Sequence, residues 1–388
     1  MRLAVSYNLR SLFVRRAATL LTIVGIGATV AVLAGVLSLR QGFETLFADA
    51  GRTDVGVFLR PGATNEGDSL WRRDKAQRLL KTLPEIAEDG NGMPLAGMEC
   101  YLAVRRFRVD GGETNVPLRG VEPATFAIRG EGIRVIEGRP FERGADEVIV
   151  GSKLVGYIRN CELGATIKIN TTPLKVVGVF ESDGPFTSEI WGDLDRMLGA
   201  LNRPSPNRVL ARMRPGTDMD ALAMRLENDK ETPAKAMTER AYLTSQTAAL
   251  SGILLFLALF LAAIMGTAAV FTATNTMLSA ISARTHEIGV LLALGFPPWK
   301  VFVGFLSEAV LLGLLGGAVG CLLALPLNGI ETGATNFNTF TEVAFAFRVG
   351  PGVLGTAAAF AFVLGLLGGT IPAWKASRLP PVTALRAR

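Results

Sequence analysis

Four long apolar runs, separated by polar segments, dominate the pattern along the chain. The first, 17–39, has no charged side chain over about 23 residues, a length that crosses a hydrocarbon core of ~30 Å as one helix. The second stays uncharged from 241 to 283, about twice the length that one crossing needs, so we expect its polar ends to project from the bilayer as a stalk. The pattern predicts transmembrane helices at 17–39, 244–277, 301–327 and 349–373.

The segment before the first run allows two interpretations. Four arginines, Arg2, Arg10, Arg15 and Arg16, precede the run, as they would in a cleaved signal peptide. The apolar core of a signal peptide is only about 7 to 15 residues long, however. We therefore favour a retained membrane helix, with 1–16 as an interfacial helix on the cytoplasmic side.

Composition and charge support a membrane protein with a defined orientation. Of the 388 residues 49% are apolar and 19% are charged, against about 25% charged in soluble domains. The segment 40–243 holds 29 basic and 30 acidic side chains, so the net charge of +6 comes from the flanks of the apolar runs. Basic residues in short flanks mark the cytoplasmic side and do not indicate nucleic-acid binding. We expect both termini, with the tail 374–388, and the loop 284–300 to be cytoplasmic, and 40–243 and the loop 328–348 to lie outside.

The segment 40–243 is long enough to fold as a separate α+β domain between the first two membrane helices. A strand ending in Arg60-Pro61-Gly62 precedes one helical pattern, and a strand ending in Arg214-Pro215-Gly216 precedes another. We interpret these as two strand-helix units, with residues near 93–205 inserted between them as a mostly β subdomain. Alternation and turn residues predict strands at 55–59, 147–150, 166–169 and 174–180 and helices at 71–83 and 219–226.

Several chemistries are excluded by the residues present. The single histidine is His286, which removes histidine-based catalysis and histidine-ligated metals from the segment 40–243. There is no G-x-x-x-x-G-K-[ST] phosphate-binding loop. Three cysteines, Cys100, Cys161 and Cys321, give no metal spacing, and whether Cys100 and Cys161 form a disulfide stays open. We expect no catalytic residue, cofactor or metal in this chain.

The stretch 278–300, which we call the elbow, is the most informative part of the sequence. Its apolar face continues past the second run, is interrupted by a polar patch at Arg284, His286 and Glu287, and resumes at Ile288. Gly295 suits a helix C-cap, and the prolines after it can open the next helix. Periodicity alone fits a simple interfacial turn and a docking element equally well.

Two features of the third apolar run complete the candidates. Glu308 is an ionisable residue inside it, either a structural pin that pairs with a nearby arginine or helix end, or a functional group. The glycines at 313, 316, 317 and 320 fall on one helical face, which predicts a surface for packing against other helices.

The elbow closely resembles the MacB/FtsX-like permease family, the membrane subunits of type VII ABC transporters. Arg284-Thr-His-Glu287-Ile-Gly289 and Ala293-Leu-Gly295 are similar to its R-T-x-E-I-G and A-L-G patterns. Further similar stretches occur in the expected order: Asn8-Leu-Arg10, Gly138-Arg-Pro-Phe141, Val148-Ile-Val-Gly151, Glu308 with Leu314-Leu-Gly-Gly317, and Pro372-Ala373.

The resemblance implies a non-catalytic permease of the bacterial inner membrane, with its large domain in the periplasm. Two permease chains would dock a cytoplasmic ATPase dimer through the elbow, and the outer domains would respond by exporting or extracting a substrate. Coupling would be carried by Arg284, Glu287, Ile288, Gly289 and Gly295. A periplasmic adaptor or outer-membrane channel could join the assembly, besides membrane lipid, and nucleic acid would not be a partner.

Two alternatives to an exporter remain. The first is an FtsX-like regulatory permease that controls periplasmic cell-wall hydrolases. The second is a membrane-anchored sensor or scaffold without an ATPase.

Overall fold

The computed structural model of the chain describes residues 16–182, 184–336, 341–381 and 384, with the backbone alone at 16–18, 334–336 and 341–344. The interfacial helix predicted at 1–16 lies outside these residues except for its last position. The chain divides into two compact units. The membrane unit comprises the residues up to Gly42, Gly252–Ile330, and those from Ala346 onward. The inserted domain comprises Phe43–Ser251 and Glu331–Phe345.

Helices supply most of the membrane unit. In chain order the α-helices of the described residues are α1 (Arg16–Ala50), α2 (Arg73–Thr82), α3 (Ala124–Arg129), α4 (Leu194–Ala200), α5 (Met219–Glu227), α6 (Glu239–Ser282), α7 (Thr285–Ala293), α8 (Pro298–Ala324) and α9 (Pro351–Ser377). Helices α1, α6, α8 and α9 are long and apolar enough to cross a membrane, which confirms the four predicted membrane helices.

Two of these helices exceed the apolar runs that predicted them. Helix α1 continues to Ala50, beyond the end predicted at 39. Helix α6 has 44 residues, about 66 Å of continuous helix, and extends past both ends of 244–277. No proline interrupts either sequence, so the backbone continues as helix where the hydrophobic pattern has ended.

Small residues allow the membrane helices to approach closely. A Cβ at Gly317 would lie 2.5 Å from the Ala361 Cβ on α9, whereas a Cβ at Gly316 would lie 2.8 Å from the Ile26 Cβ on α1. The predicted glycine face of α8 is therefore a packing surface that two helices share. Helices α1 and α6 are also joined by a hydrogen bond of 2.9 Å between the hydroxyls of Thr22 and Thr276.

Strands form the framework of the inserted domain. They are β1 (Val55–Leu59), β2 (Ala96–Phe107), β3 (Glu113–Val121), β4 (Ile133–Gly138), β5 (Glu147–Gly151), β6 (Thr166–Ile169), β7 (Thr172–Ser182), β8 (Ile190–Asp193), β9 (Arg208–Arg212), β10 (Lys235–Thr238), β11 (Glu331–Asn336) and β12 (Thr341–Ala346). Ten of them make one mixed sheet in the order β10-β1-β9-β2-β3-β8-β5-β7-β4, with β6 paired to β7. This confirms the predicted α+β domain between the first and second membrane helices.

The sheet places the two Arg-Pro-Gly strands side by side. Strand β1 pairs antiparallel with β9, Val57 opposite Leu210, and with β10 on its other edge. Strands β2 and β3 form a long hairpin, and β3 then pairs in parallel with β8. All five residues of β1 are buried, as expected for a strand covered on both faces.

The cysteines of the inserted domain belong to its core. Cys100 on β2 and Cys161 are buried free thiols within one hydrophobic cluster. Burial raises the pKa of each thiol to about 12. The two side chains therefore act as small hydrophobic groups, and the structure holds no bridge between them.

The glycine contacts between α8 and α9 give a first testable prediction. A Cβ at position 313 would lie 2.7 Å from the carbonyl oxygen of Ala361, so Gly313→Val forces the helices apart at a cost of about 1–3 kcal/mol. The melting temperature of the detergent-solubilised chain should fall. Gly355→Val is the matched control, because nothing lies within 4 Å of a Cβ at that helical position. Equal melting temperatures for the two variants would contradict the packing described here.

Candidate functional site: the elbow and a buried ion cluster

Local sequence determines the shape of the elbow. Helix α6 ends at Ser282, and the short helix α7 follows after two residues. Gly295, at φ 84°, ends α7 in a Schellman motif. Its N–H donates to Leu292 O at 3.1 Å, and the Phe296 N–H donates to Leu291 O at 3.1 Å. A left-handed residue is needed there, and glycine adopts that conformation without strain. Pro298 then opens α8 at its first position.

An ion pair fixes the start of the elbow helix to α8. Arg284 Nη1 lies 3.5 Å from Glu308 Oε2, and the two side chains are 16% and 5% exposed. A carboxylate so deeply buried requires a compensating charge. Two residues predicted from the sequence, 24 positions apart, are thus brought together.

The other predicted elbow residues divide between the inside and the outside. Ile288 and Gly289 are buried, and Ile288 packs in a cluster with Ile281, Val301 and Ala376. Glu287 and Gly295 are exposed. Ile288 and Gly289 therefore attach α7 to the membrane unit, whereas the side chain of Glu287 is directed outward.

An outward apolar surface was missed by the sequence reasoning. Leu294 and Trp299 are 72% and 63% exposed, and Val290, Leu291 and Phe296 are exposed beside them. We call these five residues the elbow surface. Positions 287, 290, 291 and 294 lie at helical spacing, but apolar residues also occupy the other sides of α7, so periodicity alone did not identify this face. It is the one side of α7 that packing leaves available to a partner.

A second polar site, also missed, lies inside the inserted domain. Seven charged side chains are buried together around the middle strands of the sheet, and we call them the ion cluster: Glu66, Glu99, Arg119, Arg129, Glu189, Arg208 and Glu239. The signal in the sequence was weak, since Glu99, Arg119 and Arg208 simply interrupt otherwise apolar strands.

Arg119 occupies the centre of the ion cluster. Its guanidinium forms a fork with Glu189 at 2.7 and 2.9 Å and a second fork with Glu66 at 2.7 and 2.8 Å. Arg208 donates to Glu99 Oε2 at 2.6 and 2.8 Å. Paired two-point contacts of this kind are the strongest ion pairs that proteins form.

The ion pairs outweigh the cost of burying the carboxylates. Burial alone would raise the pKa of Glu99, but Arg208 and Arg119 hold it at about 2. Burial likewise opposes ionisation of Glu66, and the same two arginines lower its pKa below the ordinary value. The carboxylates of Glu66 and Glu99 therefore stay ionised inside the domain at any physiological pH.

Aromatic rings enclose the ion cluster. Trp191 Nε1 donates to Glu189 Oε2 at 2.7 Å, and the Arg129 guanidinium lies 4.2 Å from the centre of the Phe186 ring. The hydroxyl of Tyr242, on α6, accepts a hydrogen bond of 3.0 Å from the Glu66 N–H. This arrangement suits a rigid structural centre. Within the described residues no group of His, Cys, Asp and Glu side chains is placed to hold a metal.

Comparison with known proteins gives the family. The model of the MacB-like periplasmic core domain matches residues 19–229, and the model of the FtsX-like permease C-terminal region matches residues 258–381. The chain belongs to the MacB/FtsX-like permeases of ABC transporters. The resemblance read from the elbow is thereby confirmed. Together with the four apolar helices, this membership indicates an inner-membrane protein.

Individual relatives of this permease are similar over nearly its whole length. It is 28% identical to the pyoverdine export ATP-binding/permease protein PvdT of Pseudomonas savastanoi pv. phaseolicola, over 98% of this chain and 59% of the relative. It is 25% identical to the macrolide export ATP-binding/permease protein MacB of Chromobacterium violaceum, over 99% of this chain and 61% of the relative. The chain thus spans about three fifths of the length of these relatives.

Solved structures similar to the permease cover about half of it. The periplasmic region of MacB from Actinobacillus actinomycetemcomitans aligns over 50% of this chain and 92% of that one, with 13% identity and a TM-score of 0.36. The extracellular domain of the transporter YknZ from Gram-positive bacteria aligns over 47% and 99%, with 14% identity and a TM-score of 0.35.

The Arg284–Glu308 pair predicts how the elbow is held. Glu308→Gln removes the buried negative charge beside Arg284 and should cost about 1–3 kcal/mol, less than a fully buried pair because Arg284 is partly exposed. We expect faster hydrogen exchange of the amides of α7 in the detergent-solubilised permease. His286→Gln, at an exposed position of the same helix, is the control. Unchanged exchange in Glu308→Gln would show that the pair does not hold the elbow.

The ion cluster predicts a loss of stability in acid. Because the pKa of Glu99 is lower in the folded domain than its ordinary value of 4.5, its ion pairs stabilise the fold above about pH 4.5, and this contribution is lost as the pH falls toward 2. The melting temperature of the permease should therefore drop below pH 4.5. Glu99→Gln should melt lower at pH 7 and show a shallower acid decline, whereas the exposed Glu113→Gln should match the wild type. An equally steep decline in Glu99→Gln would rule out this origin.

Proposed function

We propose that the chain is the permease of an ABC exporter, which converts ATP hydrolysis by a partner into movement of its inserted domain. The observation that carries this proposal is the elbow. It presents an exposed apolar surface on a helix that is attached from behind by a buried ion pair and a buried isoleucine. A surface that is supported in this way keeps its position when a bound partner exerts a force on it.

The orientation proposed from the charge pattern assigns each segment of the chain to one side of the membrane. Both termini and the elbow face the cytoplasm, where an ATPase dimer can reach them, and the inserted domain faces the periplasm. Two copies of the permease would pair in the inner membrane, in contact with lipid. A periplasmic adaptor or an outer-membrane channel would complete an export path.

Helix α6 provides the mechanical link in this proposal. It is continuous from Glu239 to Ser282, and it is followed at once by α7. A displacement of the elbow is therefore applied directly to the end of a helix of about 66 Å. Because a helix without proline resists bending, movement at one end is passed to the other.

The proposed substrate class is based on the names of the relatives. PvdT and MacB carry names that refer to export of pyoverdine and of macrolides. We propose that this permease also serves the export of a small organic molecule, collected on the periplasmic side. No transport path through the membrane helices is required for that role.

The elbow residues have different tasks in this proposal. The elbow surface binds the ATPase, with Glu287 at its edge. The ion pair between Arg284 and Glu308 keeps α7 in place. Ile288 and Gly289 pack α7 against the membrane unit, and Gly295 forms the turn into α8. Reversing the charge of Arg284 would place two carboxylates together and would test folding more than docking.

The elbow surface gives the test of this proposal. Leu294→Asp places a charge where an ATPase would bury an apolar side chain, and the loss of a central interface contact typically costs more than 2 kcal/mol, or about 30-fold in affinity. The tagged permease should retain a co-purifying ABC ATPase, identified by mass spectrometry, and Leu294→Asp should lose it together with permease-stimulated ATP hydrolysis.

Met224→Asp is the control for this test, since that side chain is 64% exposed on the inserted domain. It should leave both ATPase binding and hydrolysis unchanged. A wild-type permease that captures no ATPase, or a Leu294→Asp variant with full stimulation, would contradict the proposal. A cell-wall hydrolase recovered with the ATPase would favour the regulatory alternative over export.

A further inference from the structure

The outer end of helix α6 is attached to the inserted domain by buried charged side chains. Glu239, the first residue of α6, is fully buried, and Arg129 Nη1 lies 2.7 Å from its Oε1. This contact is an ion pair without hydrogen-bond alignment, since the N–H is not directed at the oxygen. The Arg52 N–H also donates to Glu239 Oε2, at 3.5 Å. The first turn of α6 is thereby joined to α3 and to the segment after α1.

Further contacts follow along the next two turns of α6. Tyr242 reaches Glu66 of the ion cluster through its hydroxyl, at 3.0 Å from the Glu66 nitrogen. Gln246 Nε2 donates to Thr64 O at 3.2 Å. Tyr242 is 2% exposed, so this part of α6 lies within the body of the inserted domain.

The end of helix α1 meets the same place. Arg240 on α6 donates from Nε to Ala48 O at 3.1 Å and from its backbone N–H to Arg52 O at 3.1 Å. A Cβ at Gly51, directly after α1, would lie 2.4 Å from Arg240 Cα. Only glycine allows the end of α1 and the beginning of α6 to come so close.

Charge balance keeps this arrangement rigid. The ion cluster contains three arginines and four glutamates, and the neighbouring Arg52, Asp54 and Arg212 supply one further positive charge. The buried charges and these neighbours therefore sum to zero, so no uncompensated charge is left inside the domain. Removing one member of a buried pair leaves an uncompensated charge and is strongly destabilising, so such contacts separate rarely.

We propose that Glu239, Arg129 and Gly51 form a joint that makes the ends of α1 and α6 and the sheet of the inserted domain move as one body. The joint rests on the proposed function, because it is the place where a movement of α6 driven from the elbow is delivered to the domain. These are positioning residues, since they bind neither ATP nor substrate. The other members of the ion cluster, among them Glu99, Arg119 and Arg208, connect the joint to β2, β3 and β9.

The joint is tested by hydrogen exchange in the full-length permease, reconstituted in nanodiscs with its ATPase and measured with and without ATP. In the wild type, ATP should change the exchange of peptides from the inserted domain. In Glu239→Gln and Gly51→Ala, ATP hydrolysis should continue at the wild-type rate while that change falls at least threefold. Both variants should also exchange faster at 239–251 without any ATPase. Glu231→Gln, an exposed position before α6, is the matched control.

Two results would overturn the joint: an ATP-dependent change as large as in the wild type in both variants, or unaltered exchange at 239–251 in both. A wild-type permease that binds no ATPase would overturn the proposed function instead. The exchange at 239–251, which needs no partner, would still decide on the joint. Gly51→Ala keeps every charge in place, so a folding failure of Glu239→Gln leaves the test intact.

Discussion

A buried charge must be neutralised where it lies, and this requirement joins the distant segments of the inserted domain. Arg119 on β3 is held between Glu66, which follows β1, and Glu189, which precedes β8. Arg208 on β9 is paired to Glu99 on β2. Hydrophobic contacts alone would tolerate small shifts between these strands. Paired guanidinium and carboxylate groups do not, because each shift would leave an uncompensated charge in a medium of low dielectric constant.

The membrane unit obeys the same constraint on a smaller scale. Glu308 is a buried carboxylate that forms an ion pair with Arg284, the residue before α7. Elsewhere the helices of this unit rely on close approach, through small residues such as Gly317 and the hydroxyls of Thr22 and Thr276. The Arg284–Glu308 pair thus contributes to the orientation of α7, together with the packing of Ile288. The ion pair and the packing of Ile288 hold the inner side of α7 and leave its outer face exposed.

Local signals explain what the sequence could predict. The apolar runs identified four membrane helices, and alternation with Arg-Pro-Gly turns located β1 within Val55–Leu59 and β6 within Thr166–Ile169. The ion cluster could not be predicted, because its members are separated by up to about 170 residues and pair only through the sheet. The inner and outer faces of α7 could not be assigned either, since its apolar residues surround the helix and only packing against Val301 and Ala376 distinguishes them.

The central claim is that ATP hydrolysis by an ATPase docked on the elbow moves the inserted domain, and a distance between the two copies in the proposed permease dimer measures this directly. A spin label at Met224→Cys, with Cys321→Ala, reports on the exposed surface of each domain, because Cys100 and Cys161 are buried. In nanodiscs with the ATPase, ATP should shift the distribution of distances between the two labels. With an ATPase that binds ATP but cannot hydrolyse it, the distribution should not return to its starting position. An unchanged distribution during active hydrolysis would contradict the claim.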